Sequence, residues 1–182
     1  VAALMKNSGV LFANDVNPDR CQAVVGNFHR LGVVNVILLS KDGRKIPSMH
    51  LNLDRVLLDA PCSGTGVISN DQSVKQSRDI KDVLRTAHLQ KELILAAIDS
   101  CRPGGTVVYS TCSLLVSENE DVVQYALNNR KVRLVSTGLD FGDSGFKKFK
   151  HYKFHPSMSL TRRYYPHVHN VDGFFVAKLE KI

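Results

Sequence analysis

The sequence predicts one doubly wound α/β domain, and three observations favour this class. Short apolar runs alternate along the chain with stretches that carry apolar residues at helical spacing. The runs at 55–58 and 106–110 are leucine-rich or β-branched and are bounded by turn residues, which is typical of buried parallel strands. The chain has 182 residues, 43% of them hydrophobic, which suits one ordinary domain.

The first half of the chain provides the opening strands and a helix. Residues 1–5 are typical of the last turn of a helix, because Asn7-Ser8-Gly9 follows as a C-terminal cap. Apolar residues then recur on one helical face, and Gly32 marks the end of that helix. The expected elements are a helix end at 1–5, a strand at 10–13, a helix at 19–31, and strands at 34–39 and 55–58.

The second half continues the alternation. A long amphipathic helix is expected from 80 to 98, ended by Arg102-Pro103-Gly104-Gly105. Ser117-Glu118-Asn119-Glu120 has the pattern of a capping box and predicts a helix that runs to about Asn128. The remaining expected strands are 106–110, 132–136 and 173–179.

Polar side chains follow the first four of these strands. They are Asp15, Asp42, Asp59 with Cys62, and Cys112. Each carboxylate alone is equally well explained as a turn or capping residue, and a lone cysteine is usually a small buried apolar side chain. Ligands of open α/β sheets bind at the carboxyl ends of the strands, so groups on four successive strands together predict a site at that edge.

Asp15 has the position of an acid that binds a ribose. Such a residue closes the second strand of a nucleotide-binding half. The glycine-rich loop that should precede it is absent from the sequence. We therefore expect the first, central strand and its loop to lie before Val1, and these 182 residues alone to bind a cofactor poorly.

The four cysteines are predicted to be reduced thiols. Cys21, Cys62, Cys101 and Cys112 show no Cys-x-x-Cys spacing, which argues against a disulfide framework and a structural zinc site. The histidines of residues 144–171 have no cysteine or carboxylate beside them, so we expect no metal site. The apolar runs are far shorter than a membrane span, and we expect no membrane association.

Basic charge is concentrated in residues 144–171, the basic segment. It has no Asp or Glu and six Lys or Arg, whereas the rest of the chain has 18 basic and 17 acidic residues. Rings alternate with these cations, and unpaired bases stack on rings while cations neutralise phosphates, so we predict an RNA-binding insertion. The alternative is a solvated insertion with a few rings in the core. The cations are Lys147, Lys148, Lys150, Lys153, Arg162 and Arg163, and the rings are Phe146, Phe149, Tyr152, Phe154, Tyr164 and Tyr165.

Three motifs carry a family resemblance. They are Asp59-Ala60-Pro61-Cys62-Ser63-Gly64-Thr65-Gly66, Ser110-Thr111-Cys112-Ser113 with Glu118-Asn119-Glu120, and Asp172-Gly173-Phe174-Phe175-Val176-Ala177-Lys178. Together they resemble the Nop/Sun family of RNA cytosine-carbon-5 methyltransferases, over nearly the whole chain. Three further runs are most similar to the nucleolar Nop branch: Thr137-Gly138-Leu139-Asp140-Phe141-Gly142, Phe154-His155-Pro156-Ser157 and Thr161-Arg162-Arg163-Tyr164-Tyr165-Pro166-His167.

The resemblance implies a Rossmann-like methyltransferase fold and S-adenosylmethionine as cofactor. It implies that Asp15 holds the ribose hydroxyls, that Asp42 holds the adenine amino group, and that Asp59 lies near the methyl donor and the target base. It also implies, more weakly, a basic cofactor contact at Arg20. The implied substrate is large-subunit ribosomal RNA, with work in ribosome biogenesis in the nucleolus and ribosome-assembly proteins as candidate partners.

The chemistry explains why two thiols are needed. Carbon-5 of cytosine is a poor nucleophile, so a thiolate must first add to carbon-6. Neighbouring strands are ~4.8 Å apart, so Cys62 and Cys112 can face one flipped-out base. Spacing does not decide which thiol attacks. The Pro-Cys motif of DNA cytosine methyltransferases would select Cys62, whereas the resemblance to the RNA family implies attack by Cys112 and a role for Cys62 in release.

Two alternative functions stay open on the sequence. The first is a non-catalytic RNA-binding factor of ribosome assembly that keeps the motifs without methylating RNA. The second is a DNA cytosine-5 methyltransferase that attacks through Cys62.

Overall fold

The computed structural model describes residues 1–68 and 79–182. The chain divides into two compact units, Val1–Met49 and His50–Ile182. In the described part of the chain, the strands form one six-stranded and two two-stranded sheets. None of the helices in these residues has the length and apolar character needed to cross a bilayer.

The first unit is built on two parallel strands. Asn14 at the end of one strand lies beside Leu39 at the end of the other. Asn17 caps the helix between them, because its side chain accepts hydrogen bonds from the N–H groups of Asp19 and Arg20. The elements are α1 (Ala2–Met5), β1 (Leu11–Asn14), α2 (Pro18–Arg30), β2 (Val36–Leu39) and a 3₁₀ turn at Gly43–Met49.

The second unit opens with two further parallel strands and a long helix. The strands end side by side, with Asp59 opposite Ser110. The helix begins in a capping box in which Asp79 accepts a hydrogen bond from the N–H of Asp82. The elements are β3 (Leu53–Asp59), α3 (Ile80–Ser100), β4 (Cys101–Thr111), α4 (Glu120–Asn129) and β5 (Val132–Val135).

The basic segment folds partly into the sheet and partly into a separate hairpin. Strand β9 joins the six-stranded sheet, whereas β7 and β8 pair only with each other among the described strands. The elements here are β6 (Asp143–Ser144), β7 (Lys148–Phe149), β8 (Tyr152–Lys153), β9 (Arg162–Tyr164) and α5 (Pro166–His169).

The last strand, β10 (Phe174–Lys181), runs antiparallel to β4, β9 and β5. Its alternate residues Phe175, Ala177 and Leu179 are completely buried, as expected for a strand with one face in the core. The Phe175 ring meets Tyr109 of β4 edge to face, with centroids 6.3 Å apart. The same core receives Ile94 and Ile98 of α3 and Val122, Val123 and Ala126 of α4.

Two local predictions differ from the structure. Residues 102–105 do not separate helix from strand, because β4 already begins at Cys101 and these residues interrupt its ladder with β3. The predicted capping box at 117–120 is wrong. Residues Val116–Glu118 form a 3₁₀ turn, and α4 begins after Asn119 with no side-chain capping bond. The three polar side chains at 118–120 instead bond to segments outside the helix.

Candidate active site

Asp15 follows β1 directly and is held by a tight turn. Its Oδ1 accepts a hydrogen bond from the Asn17 N–H at 2.8 Å, and its Oδ2 lies 3.7 Å from Arg20 Nη1. The Asp15 side chain is 31% exposed. The turn therefore fixes the carboxylate at the strand end and leaves it accessible to a ligand, with the guanidinium of Arg20 beside it.

Asp42 lies three residues past β2, next to a cavity in the first unit. Hydrogen bonds from the Arg44 side chain, and then from the Arg44 N–H, lower the pKa of Asp42 to about 2. The carboxylate is therefore ionised at neutral pH, and both of its oxygens are hydrogen-bond acceptors. A cavity of about 340 Å³ is lined by Ser40, Lys41, Asp42, Lys45, Ser48 and Met49.

In the second unit, β3 and β4 end together, and hydrogen bonds continue past their ends. The Ala60 N–H donates to Ser110 O at 2.9 Å, and Ser110 Oγ donates to Asp59 Oδ1 at 2.8 Å. Asp59 itself is exposed. Its carboxylate is thus oriented by Ser110 and open to solvent at the edge where the sequence predicts the reacting base.

The structure brings the two predicted thiols into direct contact. Cys62 Sγ and Cys112 Sγ are 2.9 Å apart, and both side chains are half-buried. Burial, and then the hydrogen bond with Cys112, raise the pKa of Cys62 to about 12. Cys62 therefore keeps its proton at neutral pH, and its sulfur lies within hydrogen-bond distance of the sulfur of Cys112.

A close backbone approach fixes the turn that carries Cys62. The Gly66 N–H donates to Cys112 O at 2.9 Å, and the Gly173 N–H donates to Gly66 O at 2.8 Å. A Cβ at Gly66 would overlap the Gly173 carbonyl oxygen and would lie 2.8 Å from Cys112 O. Only glycine allows the three segments to meet here.

A buried polar network behind the thiols was missed by the sequence analysis. Ser63 and Ser113, which follow the two cysteines, are buried with their Oγ atoms 3.3 Å apart. Thr65 Oγ1 accepts a hydrogen bond from the Leu114 N–H at 3.0 Å, so the two turns are joined a second time. Glu118 and Asn119 complete the network and are 0% exposed. The available signal was the hydroxyl residues beside the two cysteines, Ser63, Thr111 and Ser113.

Only part of the basic segment offers its charge to a polyanion. Arg163 is 1% exposed and forms two 2.6 Å contacts with the buried carboxylate of Glu120, so its predicted contact with phosphate is wrong. The rings of Phe154 and Tyr164 are also buried. On the hairpin, Lys148 lies directly opposite Lys153. The exposed cations are Lys147, Lys148, Lys150 and Lys153.

Comparison with a solved structure supports the predicted fold. A crystal structure described as NSun6 from Pyrococcus horikoshii with SFG superposes on 99% of this chain. The TM-score is 0.86, and the two sequences are 37% identical. The chain covers 43% of that protein. The prediction of a Rossmann-like methyltransferase fold is confirmed by this match.

Comparison with curated relatives covers the whole chain. It is 60% identical over 185 residues to a 28S rRNA (cytosine(4447)-C(5))-methyltransferase of Homo sapiens. It is 59% identical over 188 residues to the 25S rRNA (cytosine-C(5))-methyltransferase nop2 of Schizosaccharomyces pombe. The chain spans 23% and 31% of the length of these two proteins. The family model described as 16S rRNA methyltransferase RsmB/F matches residues 1–180. The predicted resemblance is therefore confirmed: the chain belongs to the RsmB/F methyltransferase family, on its Nop branch.

Proposed function

We propose that this chain is the catalytic part of an S-adenosylmethionine-dependent RNA (cytosine-5)-methyltransferase that acts on large-subunit ribosomal RNA. The observation that carries the proposal is the pair of thiols, 2.9 Å apart beyond two adjacent parallel strands. Chemistry at carbon-5 of a pyrimidine needs one sulfur that bonds to the ring and a second group that assists its departure. The human and S. pombe relatives, named for cytosine-C5 methylation of 28S and 25S rRNA, support the substrate.

The first unit has donor groups that suit the cofactor. Asp15 and Asp42 lie just past two adjacent parallel strands, and carboxylates there can accept hydrogen bonds from ribose hydroxyls and from an adenine amino group. The cavity beside Asp42 gives an adenine-sized group a place to bind. S-adenosylmethionine, when bound, supplies the methyl group as an electrophilic sulfonium. The relative solved with SFG supports this cofactor.

Cys112 is the proposed nucleophile. Its thiolate adds to carbon-6 of the flipped-out cytosine and makes carbon-5 electron-rich. Cys62 is the poorer candidate for this step, because burial keeps it in the thiol form. Asp59, oriented by Ser110, accepts a hydrogen bond from the exocyclic amino group of the base and so fixes the ring.

Cys62 is proposed to assist release. After methylation, loss of the carbon-5 proton to a base returns an electron pair to the ring, and the bond from carbon-6 to Cys112 breaks. The departing sulfur regains negative charge, and the thiol of Cys62 stands within hydrogen-bond distance of it. Donation by Cys62 stabilises that thiolate and favours elimination.

The test is methylation of large-subunit rRNA transcript by the full-length protein and by single cysteine variants. Cys112→Ala is expected to lose methylation with RNA binding intact. Cys62→Ala is expected to trap an RNA adduct through Cys112 that survives denaturing electrophoresis. The control is Cys101→Ala, which removes a buried thiol at the beginning of β4 and should change neither readout. An adduct in Cys112→Ala that is absent in Cys62→Ala would assign attack to Cys62.

The two alternative functions make different predictions in the same assay. A non-catalytic assembly factor would bind the transcript without methyl transfer by the unmutated protein. A DNA methyltransferase would methylate a cytosine-containing duplex in place of the transcript.

We also propose that the β7–β8 hairpin binds RNA phosphates. Lys148 and Lys153 oppose each other across the ladder, and Tyr152, which lies next to Lys153 on β8, is 50% exposed and available for base stacking. Replacing both lysines by Glu should weaken RNA binding. It should also lower the slope of log K against log salt concentration by about 2, because two phosphate contacts are lost. Lys81→Glu with Lys131→Glu is the control, because it makes the same charge change on other exposed positions.

The cellular setting follows from the proposed substrate. Large-subunit rRNA is assembled into pre-ribosomes in the nucleolus, so we propose that this protein is nucleolar and has ribosome-assembly proteins as partners. Microscopy of the tagged full-length protein beside a nucleolar marker tests the location. Co-purification with pre-ribosomes before and after ribonuclease treatment tests whether any partner is held through protein.

A further inference from the structure

The candidate for a further role is Glu118, a carboxyl group that the proposed reaction does not use. It is 0% exposed, and within residues 1–68 and 79–182 no Lys, Arg or His lies within ion-pairing distance of it. Both of its oxygens accept hydrogen bonds from the turn that carries Cys62. Burying an acid without a basic partner costs free energy of folding, so the presence of Glu118 at this place calls for an explanation.

Glu118 holds the residue after Cys62 directly and the residue before it through Gln90. Its Oε1 accepts from the Ser63 N–H at 2.9 Å, and its Oε2 accepts from Ser63 Oγ at 2.6 Å. On the other side, Gln90 Nε2 donates both to Glu118 Oε1 at 3.3 Å and to Pro61 O at 2.6 Å. The backbone after Cys62 is therefore tied to the Glu118 carboxyl group directly, and the backbone before it is tied to that group through Gln90.

Asn119 does the same for the second thiol. Its Oδ1 accepts from Thr111 Oγ1 at 2.6 Å, and its Nδ2 donates to Ser113 O at 2.8 Å. Thr111 and Ser113 are the two neighbours of Cys112, and both are buried. Two consecutive residues of one 3₁₀-to-helix junction thus hold the flanks of the two cysteines.

We propose that Glu118 and Asn119 are positioning residues that set the separation of the two sulfur atoms. Glu118 acts through Cys62 and so controls release of the RNA, whereas Asn119 acts through Cys112 and so controls attack. This division rests on the proposed function, but the positioning itself does not. The pair works because side chains from a single rigid junction leave the two turns little freedom to separate.

The first experiment measures positioning without RNA. Diamide oxidises a thiol pair by accepting its two hydrogens, and is itself reduced to the hydrazine as the disulfide forms. In the full-length protein we expect rapid formation of the Cys62–Cys112 disulfide, identified by peptide mapping. Glu118→Gln and Thr111→Val should each slow it about tenfold, because each weakens the anchor of one turn. Glu118→Gln weakens the bonds to Ser63, and Thr111→Val removes the bond to Asn119 Oδ1 together with the bond from the Ser113 N–H.

The matched control is Ser117→Ala, which alters the same 3₁₀ turn next to the proposed residues. It should oxidise at the wild-type rate. Ser63→Ala is a second, milder variant that removes one donor to Glu118 and keeps the backbone bond, and it should slow oxidation in the same direction. Oxidation at the wild-type rate in folded Glu118→Gln and Thr111→Val would overturn the positioning role, whatever the protein methylates.

The second experiment separates the two steps. With rRNA transcript and methyl donor, Glu118→Gln should accumulate the covalent RNA adduct, as expected for slow release. Thr111→Val should form the adduct slowly and accumulate none. A merely structural role would lower adduct formation and methylation in the same proportion in both variants, and that result would overturn the division. Absence of methylation by the wild-type protein would refute the proposed function and leave the diamide result to decide the positioning.

Discussion

Replacing Arg163 by Met is expected to lower the free energy of unfolding by about 3–5 kcal/mol, because it leaves a buried carboxylate without its cation. Arg163 and Glu120 are 1% and 0% exposed, and the guanidinium contacts both carboxylate oxygens at 2.6 Å. After the replacement, the described donor left to Glu120 is the Phe146 N–H at 3.0 Å. One neutral hydrogen bond does not solvate a buried charge.

Two more contacts place the expected loss in the upper half of that range. Arg163 Nη1 donates to Leu114 O at 3.0 Å, and the guanidinium lies 4.6 Å from the centre of the Phe146 ring. Each such contact is worth about 1 kcal/mol. Since Leu114 belongs to the turn after Cys112, the variant should also loosen the candidate site.

The assay is urea unfolding of Arg163→Met, Glu120→Gln and the double variant. We expect a coupling energy above about 2 kcal/mol, because the double variant leaves no unpaired charge. The control is Arg133→Met, whose partner Glu180 is 3.0 Å away with side chains 63% and 34% exposed. It should cost less than about 1 kcal/mol. An equal loss in Arg163→Met and the control would refute the reasoning.

Three further predictions concern the candidate sites. Alkylation of Cys62 by iodoacetamide, followed by mass spectrometry, should rise about tenfold per pH unit from pH 7 to pH 10, because its pKa is raised to about 12 and only the thiolate reacts; a plateau below pH 9 would contradict this. Gly66→Ala should lose at least about 2 kcal/mol of stability in urea, since its Cβ meets backbone, whereas Gly26→Ala, in α2 with nothing within 4 Å, should stabilise by about 0.5–1 kcal/mol. Asp15→Asn should weaken S-adenosylmethionine binding about tenfold by calorimetry on the full-length protein, and the exposed Asp54→Asn should not; equal effects would argue against a cofactor role.

The strands and their order at the site edge were predictable because the signals are local. Apolar runs bounded by turn residues locate β3 and β4, and parallel pairing then puts Cys62 and Cys112 side by side. What local patterns do not contain is the partner of a charged side chain. Arg163 belongs to a basic, aromatic-rich run that is typical of a polyanion-binding surface, yet its partner Glu120 lies 43 residues away.

The failed capping box has the same cause, and it explains how the site is organised. In isolation, Ser117 and Glu120 would cap α4 locally, and the helix would begin with its free N–H groups satisfied. The structure leaves α4 without a side-chain cap, because Glu118, Asn119 and Glu120 are all engaged elsewhere. Each of the three anchors a different segment: the turn of Cys62, the turn of Cys112 and the buried Arg163.

A missing helix cap beside three side chains that bond elsewhere is expected where a site requires those side chains. A substitution that restored a cap at the beginning of α4 would gain about 1 kcal/mol of helix stability. At Asn119 it would also take the side chain away from Thr111 and Ser113, which hold the turn of Cys112. Stability and sulfur position therefore compete for the same side chain, and the structure favours the position of the sulfur.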